Sequence, residues 1–241
     1  MNDTVWDCLP AVLALSAPRA RHNASMSVDS FAAVASRREA SLDELALALA
    51  GEFREVDSDR ALRELDRLGA ELAVGAGGGP EAEVEALREL LGARHGFIGD
   101  REQYDHPDNS MLDLVLERRR GLPILLSTVY VEVERRVGVA VAGVGMPGHF
   151  VVGHFGQTPP RLLDPFGGGA ILELEAPVDL RPSTPHETAL RMLNNLVGSY
   201  HRRTDLTRSI RAAEMRLELP LADPERAAFD SELRSLRARL N

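Results

Sequence analysis

Residues 143–169 read GVGMPGHFVVGHFGQTPPRLLDPFGGG, a stretch with two histidines, an aspartate before a proline and a Gly-x-Gly-x-x-Gly spacing. Three chemistries use such residues. The glycine spacing cradles a pyrophosphate when it follows a strand and opens a helix. Here Pro147 takes its fifth position and a β-branched run headed by His149 follows, so the spacing predicts a strand, a turn at Gly148 and a second strand. A metal centre needs converging ligands. His149 and His154 are five residues apart, which on an unbroken strand puts them on opposite faces. His95, His106, His186 and His201 show no zinc spacing. No metal and no cofactor is expected. The third chemistry is a histidine braced by a carboxylate. His149 opens one strand and Asp164 closes the next, so the imidazole can take a proton while the carboxylate fixes its tautomer.

A dyad of this kind works on a nucleophile, and the favourable place for one is a helix N-terminus, where the dipole lowers a thiol pKa. GLPILLSTVYVEVERRVG supplies the helix, with Pro123 in its first turn and Gly138 closing it. The segment before it, NSMLDLVLERRRG, predicts another helix capped by Asn109 or Ser110. Short β-like runs follow at VAVAGVG, HFVVGHF, RLLDPF and AILEL, separated by glycine and proline as antiparallel strands are. A helix, then a histidine strand, then an aspartate strand is the order seen in papain- and transglutaminase-like folds.

The rest of the chain reads as helix. One or two helices cover 27–53, with Ser41 and Glu44 as a capping box. A third covers 57–73, with Leu62, Leu65, Leu68 and Leu72 on one face. GAGGGP at 75–80 is a break, and EAEVEALRELLGARHGF is a helix ending near Gly92 or Gly96. In the tail, residues 195–219 look like a single tetratricopeptide unit, and a further helix follows. A lone unit cannot stack into a solenoid, so it is read as a hairpin on the core. Residues 1–26, broken by Pro10 and Pro18, read as a weakly structured lead-in.

Composition excludes several classes. The 241 residues carry a net charge of -9 and no lysine, a poor match to nucleic acid. The arginine runs at 118–120 and 135–136 are flanked by glutamates and read as solvated helix faces, with Glu117 and Glu132 beside them on the surface. Cys8 is the single cysteine, so no internal disulfide forms. No run approaches the roughly 18 apolar residues of a membrane span, and Asp3 and Asp7 replace the basic start of a signal peptide. A cytoplasmic protein is expected.

The long motif running from NSMLDLVLERRRGLPILLSTVYVEVERRVG through PGHFVV to LLDPFGGG resembles the SirB1 family, over about residues 28–220. The resemblance implies an α+β fold with a transglutaminase-like core at 100–180. A helical region at 27–99 and a tetratricopeptide-like region at 181–241 flank it. It places His149 and Asp164 on the superfamily's histidine and aspartate. The superfamily's cysteine falls on Pro123, between Leu122 and Ile124, and none of these can form a thioester. Ser127, one turn on, is a candidate stand-in, although a helical serine usually packs. Cys8 lies far off in the lead-in. Asn109 and Ser110 border the same cleft, and Tyr130 forms its wall or core. Two functional classes follow. One is a non-catalytic module that holds a protein or peptide segment in a groove bordered by Asn109, Ser110, Pro123, Ser127 and Gly148. The other is a hydrolase or acyltransferase of peptides or amides, with His149 as general base. The missing nucleophile favours the first.

Overall fold

The apolar segment that begins at Pro123 becomes the central helix of the molecule. In the computed structural model, which describes residues 29–73, 78–173 and 180–240, it is α6, Pro123–Val137. Its many β-branched residues are modest helix formers. Burial compensates, because residues 123–130 are all buried. Pro123 presets the first turn, and Gly138 ends the helix in the left-handed region at φ 80°.

Helices α1 (Phe31–Ala35), α2 (Leu42–Gly51) and α3 (Ser58–Ala73) come first, and α3 packs along α6. Next is α4 (Pro80–Leu87), which continues without a break as a π-helix over Arg88–Arg94. The helix passes straight through Gly92; Gly96, at φ 67°, follows its end. A two-residue strand β1 (Ile98–Gly99) pairs in parallel with β2 (Arg120–Gly121), a bridge that the sequence reading missed. Between them lie a 3₁₀ turn at Pro107–Ser110 and α5 (Leu112–Arg118). Asn109 and Ser110 therefore close the 3₁₀ turn, and Met111 stands in the cap position of α5. Cap chemistry alone could not tell a helix start from the end of a preceding turn.

Strands β3 (Val141–Met146), β4 (His149–His154), β5 (Arg161–Asp164) and β6 (Ala170–Leu172) form an antiparallel meander. The sheet is covered on both faces. Phe150, Val152 and Leu163 join the main core with α6, while Val144, Val151 and Leu162 form a second small cluster. Helices α7 (Pro185–Arg202), α8 (Leu206–Arg216) and α9 (Asp223–Ala238) complete the fold. α7 and α8 pack as a hairpin, and the main apolar cluster runs without interruption from α1 to α9. This is an α+β architecture. The lead-in with Cys8 and residues 75–77 of the glycine break lie outside the described residues.

Two helix-surface expectations fail. Glu132 is buried, and Arg135 and Arg136 bond it at 2.8 and 3.0 Å. Both arginines also reach buried Asp43 on α2, at 3.3 and 2.8 Å. α2 and α3 close over this face of α6, so the arginine run pairs internally.

Candidate functional site

The antiparallel register brings His149 and Asp164 together. Val152 faces Leu163, so one further step sets Val151 opposite Asp164 and makes His149 its diagonal neighbour on the same face. His149 Nε2 lies 3.1 Å from Asp164 Oδ1, with the N–H donating. The same Oδ1 accepts the Phe166 N–H at 3.0 Å, so Asp164 also caps the 3₁₀ turn at Pro165–Gly167. Two donors on one oxygen orient the carboxylate before it orients the ring. With Nε2–H committed, Nδ1 is the nitrogen left to accept a proton, and it has no hydrogen-bond partner among the described residues. The His149 side chain is 31% exposed, enough for a ligand to reach it.

Other residues frame the imidazole. Phe166 stands edge-on to it at 6.5 Å, Tyr104 stands edge-on to Phe166 at 5.7 Å, and Arg101 lies over Phe166 at 5.4 Å. Arg191 on α7 donates to the carbonyls of Met146 and His149, both at 3.1 Å, which ties down the turn holding Gly148 at φ 69°. Sequence reading had no signal for Arg191, because it arrives from the tail helices.

The glycines after Asp164 allow a tight backbone contact. A Cβ on Gly92 of the π-helix would sit 2.1 Å from the Gly168 carbonyl oxygen. Gly168 and Gly169 have φ of 72° and 81°. Beneath them lies the Tyr130 hydroxyl, buried and without a hydrogen-bond partner among the described residues. Burial and the negative charge of Asp164 push its ionisation well above the usual phenol range. Tyr130 is a neutral floor under the Asp164 loop.

Pro123, where the resemblance puts the superfamily's cysteine, is a buried ring in the first turn of α6. The Ser127 hydroxyl is buried and donates to the Phe150 carbonyl at 3.4 Å. This bond sets the second turn of α6 against the residue after His149, and it occupies the hydroxyl in packing. Asn109 is fully buried; its side-chain amide donates to the Gln103 carbonyl at 2.7 Å, and its backbone carbonyl accepts the Leu122 N–H at 3.1 Å. It pins the loop before α5 to the start of α6. Ser110 is buried beside it. His154 bonds Glu83 at 2.8 Å and His95 bonds Glu71 at 2.8 Å. Among the described residues no three metal-ligating side chains converge, and no described helix is long and apolar enough to cross a membrane.

Comparison with known proteins agrees with this arrangement of helix and strands. The family model of the transglutaminase-like superfamily matches residues 39–180. A UPF0162 protein of Xylella fastidiosa (strain Temecula1) is 35% identical over 163 residues, 59% of this chain and 58% of that protein. A UPF0162 protein of Vibrio cholerae is 31% identical over 118 residues, 48% of this chain and 42% of that one. The mouse F-box only protein 21 is 35% identical over 69 residues, 29% of this chain and 11% of that protein. The matched part thus spans about half the length of its bacterial relatives. No solved structure matches significantly. On the match over residues 39–180, more than half of its length, the chain belongs to the transglutaminase-like superfamily.

Proposed function

We propose that this chain is a non-catalytic polypeptide-binding or regulatory module, which keeps a protease-like groove without covalent chemistry. Within the superfamily its motif resembles that of the SirB1 family, and the α7–α8 hairpin is a tetratricopeptide-like buttress. The observation that carries the reading is the buried ring of Pro123 at the start of α6, the position that the resemblance assigns to the superfamily's thiol. Ser127, one turn along α6, is bonded to the Phe150 carbonyl. In this reading His149 and Asp164 are recognition groups, with Nδ1 of His149 accepting an N–H from an extended segment. Polypeptide is the expected partner; the net charge of -9 disfavours nucleic acid. Crosslinking capture with the wild-type chain, repeated with His149→Ala and Phe166→Ala, tests this. The same partners, retained undiminished by both variants, would sink it.

A second reading, a hydrolase of peptides or amides, is favoured by the 3.1 Å contact and the exposed ring. There His149 is a general base on water. Turnover of a peptide or amide library by the wild type, lost in both His149→Ala and Asp164→Asn, would put this reading in place of the first.

A further inference from the structure

Ser110 ends the 3₁₀ turn before α5 and is only 1% exposed, yet its hydroxyl has no hydrogen-bond partner among the described residues. Desolvating a hydroxyl without a partner is costly, so such a group calls for an explanation. The residue lines a recess of about 60 Å³, walled by Tyr104, His106, Leu122, Asn195, Ser199 and Arg202, with Asp105 at its edge.

The polar groups there are mostly donors. Asn195 is exposed on α7, lines the recess and carries a side-chain amide that can donate. His106 accepts the Asp108 N–H on Nδ1, which leaves an N–H on Nε2. Arg202 supplies a guanidinium. Ser199 gives its proton to the Asp105 carbonyl. Leu122 is the residue in front of α6, so the recess lies beside the positive end of a 15-residue helix. The negative group lining the recess, the Asp105 carboxylate, is bound to Arg202 at 2.5 Å, both side chains being 56% exposed, and the Asp108 carboxylate lies behind His106, 3.5 Å from its Nδ1. An exposed pair of this kind contributes little and exchanges readily.

We propose that this recess is an anion subsite that takes a polypeptide carboxylate, which displaces Asp105 from Arg202 and accepts from Ser110 and Asn195. The assignment rests on the reading of the groove as a polypeptide site and names the chemistry of its partner. Tyr104 and Phe166 join the recess to His149 in one aromatic strip, so a segment anchored by its carboxylate runs along both rings to the imidazole.

The test uses the ¹⁵N-labelled full chain, titrated with three probes: acetyl-Gly-Glu-Gly-amide, its Gln twin, and acetyl-Gly-Gly-Gly with a free C-terminus. One or both acidic probes should shift the Ser110 amide and the Asn195 side-chain signals, and the Gln twin should not. The stronger acidic probe tells a side-chain carboxylate from a chain terminus. Asp105→Asn removes the internal competitor and should tighten binding about threefold, while Ser110→Ala and Arg202→Gln should each weaken it about threefold or more. Equal binding of the Gln twin, no shift with either acidic probe, or no tightening in Asp105→Asn would overturn the subsite. These probes report on the recess alone. Failure of the groove reading shows instead in the capture experiment with the His149 and Phe166 variants.

Discussion

At the scale of single residues, Asp164 holds two partners with one oxygen, the His149 ring and the Phe166 amide. Asp164→Ala loses both and should cost about 1–2 kcal/mol. His149→Ala loses one and should cost under about 1 kcal/mol. The double variant should show a coupling of about 0.5–1 kcal/mol in denaturant unfolding; none would mean that the contact is incidental. Glu134 presents a different case. Both of its oxygens are buried without hydrogen-bond partners among the described residues, and burial, with Glu83 nearby, pushes its carboxyl up to about 8. The folded state therefore keeps this proton to higher pH than the unfolded chain, whose carboxyl titrates near 4.5. Between those values raising the pH removes stability, by up to about 5 kcal/mol. Glu132 adds to the slope, since burial and Asp43 push it up to about 7 against Arg135 and Arg136. In Glu134→Gln the fall in stability from pH 5 to 8 should be clearly shallower. A slope matching the wild type would show that Glu134 is ionised in the fold.

At the scale of elements, the π-helix and the glycine loop form one joint. Gly92→Ala would drive a Cβ into the Gly168 carbonyl, where backbone must move, and should cost about 2–3 kcal/mol. Gly51→Ala, at the end of α2 with nothing within 4 Å of the added methyl, should be neutral or gain up to about 1 kcal/mol. Thermal unfolding of the two variants checks the contrast; equal melting temperatures would mean that the joint yields freely. In the sequence these glycines read as turn chemistry and a helix end. Their closeness was invisible there because it links residues 92 and 168.

At the scale of the whole molecule, the apolar cluster joins every helix from α1 to α9. Asp43 extends this union with charge, since it is fully buried on α2 and bonded to arginines of α6. Removing one member of a buried charge network leaves the others uncompensated, so Asp43→Ala should cost about 3 kcal/mol or more in denaturant unfolding. A loss under about 1 kcal/mol would mean that water compensates the arginines. Cleaving the molecule near residue 99 should leave neither piece with cooperative unfolding.

Much of the layout was legible in local order. Pro123 and Gly138 marked the central helix, and the glycine and proline breaks marked the strands, because caps and turns depend on neighbours in sequence. The alternation of strand residues also put His149 and Asp164 within reach, once the strands were taken as adjacent. Tertiary structure alone decided what lies across from each side chain. It paired Arg135 and Arg136 with Asp43, brought Arg191 to the His149 carbonyl, and left Ser110 and Glu134 buried without hydrogen-bond partners among the described residues. The physical reason is that burial and electrostatics are set by distance in space, and the partners here stand up to 93 residues apart along the chain.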